Sequence, residues 1–301
     1  MCDEFTLEAD GAALAKRGLS RRDFAAISAA TVGTMMSTAA MAQQGGAPDT
    51  TSAGPKPITE GAVTVTTPDG KMDAIFYHPV DGKHPAVIMW PDIAGVRDAK
   101  KVMARELAGA GYAVLLVNQY YRSQPAPVMN SISEFFVPEN REKLTPMIQK
   151  ITVPGIESDA KALVAWLDAN PAVDAAKKIG VEGYCMTGSY GVRCATAVPD
   201  RIGAACSFHG GGLVTPAPDS PHKKMAGTKA AYLFAIAKND DVQRPNDRTD
   251  LRHAAEEAGV AATIEWFNAD HGWCVPDAPA YQQVEAKRAR TLALWHYARM
   301  G

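Results

Sequence analysis

The sequence predicts an α/β protein with a mostly parallel, doubly wound sheet, an antiparallel N-terminal edge and helices on both faces. Short apolar runs alternate with amphipathic helical patterns, as in parallel strands joined by crossover helices. Two strand-like runs near the start flank a turn signal, and a cysteine stands at a strand-to-helix junction further on. With 301 residues, 47% of them hydrophobic, the chain can bury one substantial core.

The N-terminal segment reads as sequence outside the folded domain. Arg21 and Arg22 precede a mildly apolar stretch that ends in Ala-Met-Ala at Ala42, which is typical of a twin-arginine export signal. Residues 43–57 have the composition of a flexible leader, and a single domain is expected over residues 58–301. The interpretation predicts a periplasmic protein carried by the twin-arginine export machinery. A membrane anchor or an accidental arginine pair are the alternatives, but the apolar run is shorter than the ~20 residues of a spanning helix.

The first strands are predicted from alternation and apolar runs. Residues 62–66 and 72–78 form an antiparallel hairpin around a Pro-Asp-Gly turn. Residues 85–90 and 112–117 are nearly continuous apolar runs, as strands buried on both faces are. A helix between them ends before Gly111, which suits a C-terminal cap, and its apolar face carries Met103, Leu107 and Ala110.

The second half continues the alternation. A helix is predicted from apolar residues spaced i, i+4, i+7, i+8 and i+11, which are Ile156, Ala160, Leu163, Val164 and Leu167. Further strands are expected at residues 179–183, 202–208, 232–236 and 263–267, with a helix at 246–258 and a terminal helix that carries Val284, Leu292 and Trp295. The long loop at residues 123–155 is predicted to cap a site at the carboxyl ends of the strands.

Charge and cysteine spacing exclude several classes of function. Thirty-one basic and 33 acidic residues give a net charge of −2, so nothing indicates binding to nucleic acid or to a membrane surface. Cys2 leaves with the signal, and the remaining cysteines have no C-x-x-C spacing, which argues against zinc and against a thioredoxin-type redox pair. An oxidising periplasm would permit a disulfide among Cys194, Cys206 and Cys274, which could equally be small core residues.

A nucleophile, an acid and a histidine follow one another at predicted strand ends. Cys185 lies in the sequence GYCMTG after a strand and before a helix, the arrangement of a nucleophile elbow, where a helix N-terminus favours the thiolate. Asp240 and His271 each follow a later strand, and the order nucleophile, acid, histidine is the one this fold class uses. The alternatives are a core cysteine, a turn aspartate with Asp241 as competing orienter, and a structural histidine.

Backbone donors and neighbouring side chains complete the predicted site. The oxyanion hole is expected from the N–H groups of Met186, directly after the nucleophile, and Ile93, after the strand at residues 85–90. Asp92 is a carboxylate predicted beside the thiol, or else a solvated loop aspartate. His209 opens the sequence HGGG and is interpreted as part of a glycine-rich loop that lines the site.

These motifs resemble the dienelactone hydrolases, a cysteine-nucleophile branch of the α/β-hydrolases. The resemblance covers roughly residue 57 to the C-terminus. It is carried by GYCM-x-G at residues 183–188, by Asp240 and by HGWCVPD at residues 271–277. The sequences YYR at 120–122, SFHGGGL at 207–213 and SPH at 220–222 add to it.

The resemblance implies an ester or lactone hydrolase with a Cys-His-Asp triad and a thioester acyl-enzyme. Asp92 matches a family glutamate that helps to generate the thiolate. Tyr121 and Arg122 match substrate-binding positions, with the guanidinium gripping a substrate carboxylate. Thr187 stands where the family usually has glycine, so a crowded turn is expected. Val275 stands where the chlorocatechol-pathway enzymes carry a second carboxylate-binding arginine, which favours a related ester or lactone over dienelactone itself.

The leading hypothesis is an exported, cofactor-free hydrolase of small esters or lactones. A non-catalytic ligand-binding protein on a hydrolase scaffold is the alternative, motivated by Thr187 and the missing second arginine. A thiol redox protein is a third, and it requires a disulfide partner for Cys185.

Overall fold

The structure, a computed structural model, describes residues 54–300 of the chain. The predicted signal peptide at residues 1–42 and the leader up to residue 53 lie outside the described residues. Within them, eight strands form one sheet in the order β1-β2-β4-β3-β5-β6-β7-β8. The strands are β1 (Ile58–Thr67), β2 (Gly70–Pro79), β3 (Ala86–Trp90), β4 (Ala113–Val117), β5 (Ile179–Tyr184), β6 (Ile202–Phe208), β7 (Ala231–Ala237) and β8 (Ala262–Phe267).

Strand directions confirm the predicted mixed sheet. β1 pairs with β2 in an antiparallel hairpin closed at Thr67 and Gly70, and β2 pairs antiparallel with β4. Every other neighbouring pair, from β4-β3 to β7-β8, is parallel. The carboxyl ends of β3 to β8 therefore meet at one edge, where loops can bring distant residues together.

Helices cover both faces of the sheet, as predicted. They are α1 (Asp98–Gly109), α2 (Pro138–Gln149), α3 (Val153–Asp168), α4 (Tyr190–Ala197), α5 (Lys238–Gln243), α6 (Asp247–Ala258) and α7 (Gln283–Tyr297). Buried side chains of α3, α4 and α6 share one apolar core with the sheet, and those of α1 and α7 share the other. Within residues 54–300 no helix combines the length and the apolarity needed to cross a membrane.

The prediction of a long loop is corrected, and the terminal helix is confirmed. Residues 123–155 are not one long loop, because they contain a 3₁₀ turn at Ile132–Phe136, the whole of α2 and the start of α3. In α2 only Leu144 is buried, so the helix has no apolar stripe that a periodicity search would detect. The predicted terminal helix is confirmed as α7, which carries Val284, Leu292 and Trp295; Val284 and Trp295 are exposed, and the buried residues include Ala289, Ala293 and Tyr297.

The four cysteines in the described part of the chain are buried thiols without disulfides. Burial raises the pKa of Cys194 and Cys274 to about 12, so both remain protonated and chemically inert near neutral pH.

Candidate active site

Cys185 occupies a strained turn between β5 and α4. Its backbone φ is +54°, a left-handed conformation that non-glycine residues seldom adopt. The turn leaves no room for side chains at its flanking glycines. A Cβ at Gly183 would lie 2.1 Å from the Thr187 carbonyl oxygen, and one at Gly188 would lie 2.3 Å from the Cα of Gly210. These close approaches are the structural reason for the small residues on either side of the elbow.

Thr187 fits the elbow and does not crowd it. Its hydroxyl accepts a hydrogen bond from the Tyr184 amide at 2.9 Å and donates one to the Trp90 carbonyl at 3.0 Å. The side chain is fully buried, so both bonds are shielded from water. The threonine ties the end of β3 to the elbow, and the expected crowding is wrong.

Asp240 and His271 form the pair that the sequence order predicts. Asp240 lies at the start of α5, directly after β7, and His271 follows β8. The His271 Nδ1 atom is 2.9 Å from Asp240 Oδ2 and 3.0 Å from Oδ1, and both residues are buried. Asn239 holds the two loops together, because its side-chain oxygen accepts hydrogen bonds from the backbone amides of both His271 and Asp240.

The competing orienter, Asp241, has another partner. Its carboxylate makes two hydrogen bonds with the Arg248 guanidinium, at 2.6 and 3.0 Å. Between the two adjacent aspartates, the structure therefore assigns the contact with the imidazole to Asp240.

The thiol lies beside the imidazole. The Cys185 sulfur, a ring nitrogen of His271 and a ring nitrogen of His209 all lie within 4.8 Å of one another. Burial of the His271 ring opposes its protonation, but the charges and hydrogen bonds of Asp240 and Cys185 outweigh burial and raise its pKa well above the ordinary value. This environment therefore favours a protonated His271 imidazole beside the thiol.

The loop after β3 packs against the elbow that carries the thiol. Ile93 and Met186 pack in one cluster with Cys185. The Gln119 side-chain amide donates to the Asp92 carbonyl at 2.8 Å. That carbonyl and the Ile93 N–H belong to one planar trans peptide and point in opposite directions, so this bond sets the direction of the donor. The Tyr120 hydroxyl holds the next peptide through the Ile93 carbonyl, also at 2.8 Å.

Sequence reasoning missed Gln119 and Tyr120 as positioning residues. Their position directly after β4, at the same sheet edge as the predicted site, could have indicated a role there. Nothing in the spacing alone indicates that they reach across to the loop after β3.

The Asp92 carboxylate lies in an ion cluster, and its predicted help in generating the thiolate stays a prediction. The carboxylate accepts two hydrogen bonds from Arg97 at 2.7 and 3.0 Å and one from the Ala94 amide, and it lies 3.2 Å from the Lys100 ammonium. Burial disfavours the charge, but Arg97 and Lys100 hold the pKa of Asp92 well below its ordinary value. The Arg97 guanidinium also donates two hydrogen bonds to the Asp277 carboxylate, at 2.7 and 2.8 Å. Asp92 is thus part of an ion cluster that joins the loop after β3 to the segment after His271.

Arg97→Met is expected to lower the free energy of unfolding by about 3–5 kcal/mol, because it leaves buried carboxylates without their main counter-charge. Urea unfolding of the variant measures this loss. The matched control is Arg105→Met, whose partner Glu60 is half exposed, and a loss of about 1 kcal/mol or less is expected there. Equal losses in the two variants would contradict a structural role for the cluster.

Tyr121 and Arg122 have hydrogen-bond partners within the protein, and their predicted contacts with substrate stay a prediction. The Arg122 guanidinium makes hydrogen bonds to Asp159 at 2.8 and 2.9 Å and to Asp69 at 2.7 and 2.9 Å. The Tyr121 hydroxyl donates to Asp159 and contacts Thr67, both at 2.7 Å. These contacts tie the β1-β2 turn to α3.

His209 lies against the triad, as part of the glycine-rich loop that follows β6. Its ring centre is 4.6 Å from that of His271 and 5.3 Å from that of Trp273. The side chain is buried and its backbone φ is +40°. Burial and the charge of His271 hold the pKa of His209 well below its ordinary value, so the ring is neutral near pH 7.

A cavity of about 420 Å³ lies behind the elbow, between α1 and α7. Tyr184, Cys274 and Arg290 are among the residues that line it, and Cys185, Asp240 and His271 are not. The triad therefore lies at the loop edge of the sheet and outside this cavity.

Several known proteins match more than half of this chain in sequence or in structure. A Bradyrhizobium protein named "Probable 2-oxo-3-(5-oxofuran-2-ylidene)propanoate lactonase" is 27% identical over 165 residues, which are 54% of this chain and 61% of that relative's length. The carboxymethylenebutenolidase of Pseudomonas sp. strain P51 is 22% identical, over 79% of this chain and 94% of the relative. A solved Klebsiella pneumoniae structure, provisionally designated a dienelactone hydrolase, superposes with a TM-score of 0.69 at 21% identity, covering 80% of this chain and 99% of that one.

The family assignment comes from the sequence profile together with these relatives. The profile of the Dienelactone hydrolase family matches residues 72–297, which include the elbow, the acid, the histidine and the loops between them. The sheet order and the helices on both faces agree with the α/β-hydrolase fold of the solved neighbours. The chain therefore belongs to the dienelactone hydrolase family.

Proposed function

We propose that this protein is an exported hydrolase of small carboxylic esters or lactones that acts through Cys185, His271 and Asp240 and a thioester acyl-enzyme. The observation that carries the proposal is the His271-Asp240 pair, at 2.9 Å, beside the Cys185 thiol at the elbow. The names of the relatives, a carboxymethylenebutenolidase and a lactonase, support this substrate class.

The reaction proceeds in two steps. The Cys185 thiolate attacks the acyl carbon, a C–S bond forms, and the C–O bond breaks as the His271 imidazolium gives its proton to the leaving oxygen. In a lactone the leaving oxygen remains tethered to the acyl group. Water then attacks the thioester while His271 takes its proton, the C–S bond breaks, and the free acid departs. The N–H groups of Ile93 and Met186 stabilise the oxyanion in both steps.

The partners of Arg122 favour substrates without a free carboxylate near this residue. Its guanidinium already faces Asp69 and Asp159, so an anionic group would have to compete with two carboxylates that are part of the protein. A buried bidentate pair is costly to break. Neutral short-chain esters and simple lactones are therefore the substrates we propose.

Trapping the acyl-enzyme tests the proposal directly. The protein is mixed with a short-chain aryl ester, quenched in acid and measured by intact and peptide mass spectrometry. We expect an acyl adduct on the peptide that contains Cys185 and none on the peptide that contains Cys274, whose buried thiol stays protonated. Turnover of the ester without any Cys185 adduct in the early time points, or acylation elsewhere, would contradict the thioester step. A non-catalytic binding protein would show neither turnover nor adduct.

Export rests on residues outside the described part of the chain. The Arg21-Arg22 pair, the apolar stretch and the Ala-Met-Ala sequence at residues 40–42 support a twin-arginine signal. Replacing both arginines by lysine is expected to leave the protein in the cytoplasm with its signal uncleaved. Cell fractionation with an antibody to the protein measures this, and a periplasmic Lys-Lys variant would refute the proposed route.

A further inference from the structure

The triad cysteine and histidine form a compact cluster with a third residue that the proposed reaction does not use. Cys185, His209 and His271 each offer one sulfur or nitrogen atom, and the three atoms lie within 4.8 Å of one another. All three side chains are buried, at 5%, 1% and 8% exposure. One thiolate and two imidazoles are a donor set that suits Zn²⁺ and similar thiophilic cations.

We propose that Cys185, His209 and His271 bind one divalent thiophilic cation, such as Zn²⁺, and that this cation blocks the triad reversibly. Three protein ligands leave a fourth position for water, as in open zinc sites. Binding releases the His271 proton to solvent, and the metal then takes the sulfur lone pair that would attack the substrate and the His271 nitrogen that would carry the proton. The binding part of the inference does not depend on the proposed function, whereas the blocking part rests on it.

The three ligand atoms need to move only slightly closer together to bind zinc. Ligand atoms at tetrahedral zinc stand about 3.3–3.6 Å apart, given bond lengths of about 2.0–2.3 Å. The observed upper bound of 4.8 Å therefore requires side-chain shifts of about 1 Å in total. The His271 Nδ1 atom already pairs with Asp240, which leaves the other nitrogen for a metal. A carboxylate behind a metal-binding histidine is a common outer contact that fixes the ring and strengthens the ligand.

The surroundings of His209 give independent support for a bound cation. Neither of its ring nitrogens has a hydrogen-bond partner within residues 54–300, although the side chain is 1% exposed. Leaving a buried polar group without a partner is unfavourable, so a purely structural role explains this histidine poorly. Edge-to-face contacts with His271 and Trp273 hold the ring beside the thiol. A bound cation gives one of the unpaired nitrogens a partner.

Cobalt spectroscopy tests the site without relying on catalysis. The reduced, metal-free protein is titrated with Co²⁺, and we expect a thiolate-to-cobalt charge-transfer band together with tetrahedral d–d bands that Zn²⁺ abolishes by displacement. Cys185→Ser should remove the charge-transfer band, and His209→Asn should weaken Co²⁺ binding at least tenfold. His253→Asn, at an exposed position of α6, is the matched control and should leave the titration unchanged. The site is overturned if Co²⁺ gives no charge-transfer band, or if His209→Asn and His253→Asn bind it equally.

Ester turnover tests the blocking step separately. Stoichiometric Zn²⁺ is expected to abolish hydrolysis of the aryl ester, and EDTA should restore it. Full activity at saturating Zn²⁺ overturns the blocking step. Absence of any turnover in metal-free protein would count against the proposed hydrolase function, while the cobalt titration would still decide whether the site exists.

Discussion

Cys185→Ala is expected to lower kcat/KM for a short-chain aryl ester by about 10³-fold or more, because the variant lacks the atom that attacks the acyl carbon. The change removes one buried sulfur atom at a turn with φ of +54° and leaves the His271-Asp240 pair in place. The measurement is steady-state hydrolysis at several ester concentrations, with circular dichroism to show that the variant is folded.

Cys194→Ala is the matched control for the nucleophile. Cys194 is fully buried in α4, and burial raises its pKa to about 12, so its thiol is not available for attack. This variant should retain most of the wild-type rate. Equal rates for Cys185→Ala and the wild type would remove Cys185 from the mechanism and with it the thioester step.

Asp240→Asn is expected to lower kcat by about 10²- to 10⁴-fold and to shift the pH dependence of the residual activity. The Asp240 carboxylate helps to hold the pKa of His271 well above its ordinary value. Without that charge the imidazolium loses its proton at a lower pH, so the acid that protonates the leaving group disappears earlier as pH rises. The alkaline limb of the kcat/KM profile should therefore move to lower pH.

The control for this experiment is the neighbouring carboxylate. Asp241 pairs with Arg248 on the surface side of α5, so Asp241→Asn should keep both the rate and the profile close to wild type. The apparent pKa values of the two limbs describe the coupled thiol and imidazole together, so both limbs are compared between variants. An alkaline limb that stays in place in Asp240→Asn would show that the pair does not control the proton of His271.

Periodicity and strand ends predict much of this fold and of the candidate triad. The apolar runs at β3 to β8 are local patterns, and each strand appears close to its predicted bounds. The helices α1 and α3 are also present, although Ala110, predicted on the apolar face of α1, lies exposed at its C-cap. Because parallel strands end at one edge, a cysteine, an aspartate and a histidine that each follow a strand can be expected to meet. α2 escaped prediction because its single buried residue, Leu144, makes no periodic pattern.

Side-chain partners are decided by contacts that sequence order does not contain. Arg97 and Asp277 are 180 residues apart, and Arg122 and Asp159 are 37 apart, yet each pair is joined by two short hydrogen bonds. A resemblance could match Asp92 and Arg122 to family positions, but only packing decides which charges neutralise them, since a buried charge takes the counter-charge that lies nearest in space.

The amino-acid sequence by itself determined the sheet, the elbow and the order of the three triad residues, because these depend on hydrophobic period, on small residues and on the common edge of parallel strands. Only the tertiary structure decided that Asp92 and Arg122 are held in ion clusters, that Thr187 fits its turn, and that His209 joins Cys185 and His271. The physical reason is that hydrogen bonding and charge pairing act over a few ångströms in space, between residues whose separation along the chain carries no information about their distance.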